Sequence, residues 1–292
     1  MARPPKFSVV IGTDGSVSGR AAVAAAARFP WPARAAAELV VASRAASRWS
    51  PAARTLALGE AQRVGARALR TLRPRWPAAR LRYPLQSPSS ALLAAARSAR
   101  AGAIVVGSSG RGMLGRWLHG SVSWHVAQAA SCPVLLVKGR LAKARRFTIG
   151  IDGSPNSRRA VALVARLAVP PGGRVNLVSA VEPVRIPSGS LWSVSVQGAL
   201  RMEAARLGAE RRRRLEKVQR RMRIRLRRAG WKVSEVVRAA TPLVGLLDAA
   251  KAAQADVLVI GARGTGGVSR LLLGSVAEGA LARAPISVLV VR

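Results

Sequence analysis

The 292-residue sequence has one cysteine, Cys132, one tyrosine and only twelve acidic residues, and aromatics make up 4% of it. A lone thiol forms no internal disulfide, so nothing points to an oxidising compartment. The longest unbroken apolar run, Ala21 to Ala27, ends far short of the ~20 residues of a membrane span. Met1 to Lys6 lead into no apolar stretch of signal-peptide length. The expectation is a cytoplasmic chain without a transmembrane segment. Zinc-finger spacing, an RNP1-type run and a basic region followed by heptads are all missing, so sequence-specific nucleic-acid binding is not expected. No Gly-Lys-Ser/Thr triplet occurs, which removes a Walker A loop.

What is abundant is positive charge. Lys and Arg total 49, giving a formal net charge of +37, and all but six of them are arginine. A field of that sign favours polyanions, acidic surfaces and phosphate-bearing ligands, less so as salt rises. Half of the residues are hydrophobic and mean hydropathy is +0.18, which excludes disorder as the main state. The length suits about two domains.

The chain repeats itself. Val9-Val10-Ile11-Gly12-Thr13-Asp14-Gly15-Ser16 matches Thr148-Ile149-Gly150-Ile151-Asp152-Gly153-Ser154 at an offset of 138 residues. Ile104-Val105-Val106-Gly107 matches Leu258-Val259-Ile260-Gly261 at an offset of 154, as do the closing runs Val134–Val137 and Val288–Val291. Two domains follow, 1–140 and 146–292, joined by a basic linker-like stretch at 138–145. Apolar strand candidates lie at 7–12, 38–42, 80–85, 103–107 and 133–138, then at 147–151, 174–181, 232–238, 256–261 and 287–291. They are short and rich in Val, Ile and Leu, as strands buried on both faces of a parallel sheet are. Segments of helical spacing separate them, such as 90–99 and 242–253. The fold class is α/β: two tandem Rossmann-like domains, each a doubly wound, open five-stranded parallel sheet flanked by helices. Ligands of such sheets bind beyond the carboxyl ends of the strands.

A Gly-rich segment follows the fourth strand of each unit: Gly107-Ser108-Ser109-Gly110 with Gly120-Ser121-Val122, and Gly261-Ala262-Arg263-Gly264 with Gly274-Ser275-Val276. Both fit G-x2-G-x9-G-S, a match expected by chance at roughly 10^-4 per start position. Glycines let backbone N–H groups approach an anion closely. The final Gly-Ser pair opens a helix, whose unpaired N–H groups and dipole favour phosphate, and the Ser hydroxyl can cap that helix or touch a phosphate. Gly110-Arg111-Gly112-Met113-Leu114-Gly115 also reads G-x-G-x-x-G, but no Asp or Glu lies between Glu60 and Asp152 to hold a dinucleotide ribose.

These features together resemble the universal stress protein family in its tandem two-domain form. The carriers are Asp14-Gly15-Ser16, Asp152-Gly153-Ser154, both glycine loops and the closing Cys132-Pro133-Val134-Leu135-Leu136-Val137, and the likeness covers nearly the whole chain. It implies an adenine nucleotide alpha hydrolase-like fold, ATP as cofactor and a homodimer, commonly formed through the last strand. By motif position, it places Gly12 and Gly150 beside the nucleotide. Asp14 and Asp152 face the ribose or a phosphate-bound Mg2+, though either fits a turn or cap carboxylate as well. Ala42 and Ala180 lie near the adenine. Gly107, Gly110, Gly120, Ser121 and Val122 would wrap ribose and phosphates in the first unit. Gly261, Ala262, Arg263, Gly264, Thr265, Gly266 and Gly267, with Gly274, Ser275 and Val276, would do so in the second. Two positions depart from the pattern: Gly102 stands where the second unit has Asp256, and Trp124 where it has Glu278.

Residues 199–229 read as an inserted basic helix, with Leu200, Leu207, Leu215, Val218, Met222 and Leu226 on one face and a surplus of positive charge elsewhere. It fits either a solvated outer face or a dock for an anionic partner. His119, His125 and Cys132 have no metal-ligand spacing, and no nucleophile–base constellation emerges. The expected function is regulatory: an ATP-binding stress protein whose nucleotide sets conformation or association, with at most slow hydrolysis. The alternative is a protein of the same fold that binds no nucleotide and acts through its basic surface.

Overall fold

The computed structural model describes residues 7–42, 50–84, 86–108, 120–184, 193–265 and 273–292. The first unit runs β1 (Phe7–Gly12), α1 (Val17–Arg28), β2 (Ala35–Val40), α2 (Pro51–Leu72), β3 (Arg80–Arg82), α3 (Pro88–Ser98), β4 (Ala103–Gly107), α4 (Ser121–Ala129) and β5 (Val134–Val137). The second runs β6 (Arg146–Gly150), α5 (Pro155–Val164), β7 (Arg174–Val181), α6 (Val194–Arg228), β8 (Lys232–Ala239), α7 (Pro242–Ala252), β9 (Val257–Gly261), α8 (Ser275–Arg283) and β10 (Ser287–Val291).

Both units have the expected alternation, and within each the strands are parallel. Two strands differ from the sequence reading by more than one residue. The second strand begins at Ala35 rather than 38, because Ala35–Ala37 pair with Phe7–Val9 although alanine has little strand propensity. The third ends at Arg82 rather than 85, since Pro84 cannot donate to a ladder.

The two five-stranded sheets are not separate. The strand order is β3-β2-β1-β4-β5-β10-β9-β6-β7-β8, with β5 and β10 antiparallel in the register Val134↔Val290, Leu135↔Leu289 and Leu136↔Val288. The last-strand edge is thus used inside the chain, and a homodimer of whole chains needs another surface. One face of the sheet carries α1, α2, α5 and α6 over a core that is continuous across both units. The other carries α3, α4, α7 and α8 over a second continuous core. The 138–145 stretch is no loose linker, because Leu141 and Ala144 are buried in the first of these cores.

Aromatic side chains lock the join. Phe29 stacks on Trp31 at 4.3 Å and meets Phe147 edge-on at 5.9 Å, and Phe147 meets Trp231 at 5.3 Å. A reciprocal clasp adds to it. Lys138 and Arg292, equivalent residues just past β5 and β10, each reach across the junction to the carboxyl end of the other unit's last helix. Lys138 Nζ donates to the Ala284 carbonyl at 2.7 Å. The Arg292 guanidinium donates to the carbonyls of Ala127, at 2.9 Å, and Gln128. A cation suits the carbonyl end of a helix.

Burial pushes the Lys138 ammonium from 10.5 down to about 8. Below pH 8 the group is charged in both folded and unfolded chains, and its burial penalty is present in full. Between about pH 8 and 10.5 the folded chain has released the proton while the unfolded chain still holds it, so stability rises with pH. At 1.36 kcal/mol per pH unit the gap allows about 3 kcal/mol, which partial exposure reduces to about 1–2 kcal/mol. Cys132, whose thiol burial pushes up to about 11, acts in the opposite sense above pH 9. The readout is therefore the difference between the wild type and Lys138→Met. Urea melts should show the wild type gaining stability relative to Lys138→Met between about pH 8 and 10.5; a constant difference would contradict the burial argument.

Candidate functional site

Beyond the carboxyl end of β6, the chain turns through Asp152-Gly153-Ser154 into α5. Gly153 takes φ +82°, which glycine adopts without strain. Asp152 Oδ1 accepts the Ser154 N–H at 2.9 Å, and Ser154 Oγ accepts the Ser157 N–H at 3.1 Å as the helix cap. The first unit repeats this: Gly15 has φ +76°, Asp14 Oδ1 accepts the Ser16 N–H at 2.9 Å, and Ser16 Oγ accepts the Gly19 N–H at 3.1 Å. Both aspartates thus serve the turn, whatever else they hold.

The glycine loop after β9 is pinned to that turn. The Arg263 carbonyl accepts from Asn156 Nδ2 at 3.2 Å and from Ser154 Oγ at 3.4 Å. A Cβ on Gly264 would lie 2.7 Å from Asp152 Oδ2, so the loop crosses directly over the carboxylate. The Gly274 N–H donates to the Ala262 carbonyl at 2.8 Å, which brings the start of α8 to the same place. Asp152, Arg263, Gly264 and Gly274 therefore converge. Gly274 is the N-cap of α8 and, among the described residues, no side-chain hydrogen bond caps the helix, so its first-turn N–H groups are candidate donors to an anion. The corresponding helix in the first unit, α4, starts at N-cap Gly120, likewise without a side-chain cap.

Ser121 and Ser275 are the first residues inside these helices, so neither caps; both are exposed at the loop mouth. Val122 and Val276 pack against the core below, leaving only their backbone toward a ligand. Gly12 and Gly150 are explained by packing: a Cβ there would press on Leu92 at 2.9 Å and Leu246 at 3.1 Å. Gly107 and Gly261 likewise leave room for the starts of α1 and α5, a Cβ meeting Ser18 at 2.5 Å and Asn156 at 2.8 Å. Ala42 lies two residues past β2 and packs on the α3 face. Ala180 is in β7 and faces α7 through Gly245. Ala262 is buried, and Thr265 is the last residue described on this side of the loop. Gly110, Gly266 and Gly267, and the 110–115 glycine motif, lie outside the described residues.

The sequence reading did not single out Ser154 and Asn156 as positioning residues, although Ser-Pro-Asn directly after Asp-Gly was the available signal. It also left Asp256 without a role. Asp256 Oδ2 accepts the N–H groups of Arg145 and Arg146 at 2.9 and 2.8 Å, and its Oδ1 pairs with the Arg146 guanidinium at 3.0 Å. In the first unit the Phe7 ring fills the corresponding space, 2.5 Å from where a Gly102 Cβ would stand. That departure is therefore a packing exchange at the far end of the strands. Among the described residues no group of three His, Cys, Asp or Glu could hold a metal. No described helix is long and apolar enough to cross a membrane.

Because the two sets of strands run oppositely, the carboxyl ends of β4 and β9 point to opposite ends of the sheet.

The model of the universal stress protein family matches residues 7–138 and 143–292. A universal stress protein of Mycobacterium tuberculosis, Rv2005c, is 33% identical over 204 residues, which are 65% of this chain and 61% of that protein. One from Mycolicibacterium smegmatis is 33% identical over 222 residues, 71% of this chain and 66% of that protein. The chain therefore spans about three fifths to two thirds of the length of these relatives. The crystal structure of a universal stress protein from Archaeoglobus fulgidus superposes with a TM-score of 0.60 at 18% identity, covering 98% of this chain and 96% of that one. With both halves matched and the paired sheets in place, the chain belongs to the universal stress protein family, as two such units in tandem.

Proposed function

We propose that the second unit binds an adenine nucleotide, ATP, and that binding sets a regulatory conformation or association state. The observation that carries this is the crossing of Gly264 over Asp152 beside the uncapped start of α8. Backbone N–H groups, the positive end of a helix and one carboxylate at a strand end suit a phosphate chain with its ribose. Magnesium fits the donor set: it takes one or two carboxylates and completes its shell with phosphates and water. Asp152 would hold it, with Asp14 the counterpart in the first unit, and the ion would neutralise phosphate charge. No nucleophile or general base is assigned, so turnover is expected to be slow. The reading places the chain in the cytoplasm, as domains 1–140 and 146–292, and any homodimer on surfaces other than the last strands.

Calorimetry in about 0.15 M salt tests it. Saturable heat with ATP is expected; no heat with any adenine nucleotide would remove the reading. The exposed arginines of α6, Arg211 to Arg214, favour the second reading, a partner-binding role through the basic surface. Calorimetric silence with ATP, combined with salt-sensitive capture of an anionic partner on α6, would favour it.

A further inference from the structure

On the face of the sheet away from α3 and α4, a cavity of about 880 Å3 opens between α1 and α2. Arg20 lines it from α1, and Arg63, Arg67 and Arg70 line it from α2, while its inner end reaches Thr13 and Gly15. Spacings of four and three residues bring the α2 arginines to one side of that helix. Arg20 is held in place by donating to the Gly15 carbonyl at 2.5 Å. Among the described residues, Arg63, Arg67 and Arg70 form no ion pair. Glu60 also lines the cavity and has interactions of its own. Several guanidinium groups around one concavity repel each other, and an anion with several charges relieves that repulsion.

We propose that this groove is a second anion site, which binds a small oligophosphate independently of the glycine loops. The volume lies in the range of small-molecule sites. No aromatic side chain lines it, so it lacks the stacking surface that a nucleobase or single-stranded nucleic acid would use. Planar guanidinium forks on both walls match phosphate oxygens two at a time. A ligand that engages Arg20 competes with the Gly15 carbonyl, which ties the groove to the turn at the end of β1.

The test uses inorganic tripolyphosphate, titrated calorimetrically into the full chain at about 0.15 M salt. Arg63→Gln/Arg67→Gln should weaken binding by about tenfold or more. Arg220→Gln/Arg221→Gln on α6, which removes the same charge from an exposed surface, should change it by less than about twofold. Equal losses in the two variants, or no loss in the first, would overturn the proposal and leave bulk charge as the cause. Tripolyphosphate can also enter the glycine loops, so Gly264→Val is titrated in parallel. Binding at the groove should survive that change; a loss confined to Gly264→Val would refute the groove and leave the nucleotide reading standing. All four substituted arginines are exposed, and thermal melts should match the wild type. Should the first pair melt early, Arg63→Lys/Arg67→Lys keeps the charge without the fork and should weaken binding less than Gln; unchanged affinity there would count against the proposal.

Discussion

Phe147→Ala should destabilise the whole chain by about 3–5 kcal/mol, the range for deleting a buried aromatic ring. Phe147 is 1% exposed on β6 and sits edge-on between Phe29 of the first unit and Trp231 of the second. The core beneath α1, α2, α5 and α6 runs through it from one unit to the other without a break. The loss should therefore appear in both units at once, with denaturation followed by tryptophan fluorescence and by far-ultraviolet circular dichroism staying coincident. Phe29→Ala should cost a similar amount. The double variant should lose about 0.5–1.5 kcal/mol less than the sum of the singles, the part due to the aromatic pair itself. Two separate transitions, with only the second shifted by Phe147→Ala, would mean that the units fold independently despite the shared sheet.

That continuity was not written in the sequence in any readable form. Val134–Val137 and Val288–Val291 announce themselves as buried strands, because hydrophobic runs of that length need cover on both faces. Nothing in them says that the cover on one edge is the other run. The clasp of Lys138 and Arg292 was hidden for the same reason: a helix end 146 residues away in the chain accepts the lysine. The strands, the units and the helices were legible because their signals are local and periodic. So was the pair of glycine loops, because the same spacing recurs. The reason for each glycine was not legible. Gly12 and Gly150 yield to leucines of α3 and α7, and Gly107 and Gly261 to the starts of α1 and α5. Among the described glycines of the two loops, Gly264 is the one that gives way to a group with ligand chemistry, the Asp152 carboxylate. Ser121 and Ser275 looked like caps, but the glycines before them hold the cap position, and among the described residues no side-chain cap bond forms there. The long basic helix was legible, although it begins at Val194 rather than at 199, but how it docks was not. The buried Gln219 side chain donates to the carbonyls of Leu177 and Val236 and to Ser179 Oγ, fixing α6 across β7 and β8.

Gly264→Val should lower ATP affinity by about 100-fold or more, consistent with losing several backbone and carboxylate contacts at once, while the fold survives. Among the described residues, the added Cβ meets Asp152 Oδ2 at 2.7 Å and otherwise nothing closer than Asp152 Cγ at 3.9 Å. A carboxylate tip can turn aside. Doing so breaks the Asp152–Ser154 bond of the turn, at a cost of about 1–2 kcal/mol, and sets an aliphatic branch where a phosphate or ribose would approach the loop. Neighbouring glycines set the comparison. Gly261→Ala presses on the backbone of Asn156 and Ser157, at 3.1 Å from each, as well as on the Asn156 Cβ. It should therefore damage the fold itself, lowering the melting temperature more than Gly264→Val does. Among the described residues, Gly274→Ala meets only ordinary contacts at 3.5 Å and beyond, and it should weaken ATP least. Affinity loss out of proportion to stability loss at position 264, and the reverse at 261, distinguishes a ligand cradle from a packing constraint. If Gly264→Val binds ATP like the wild type, the crossing over Asp152 is only a turn, and the nucleotide site must be sought elsewhere.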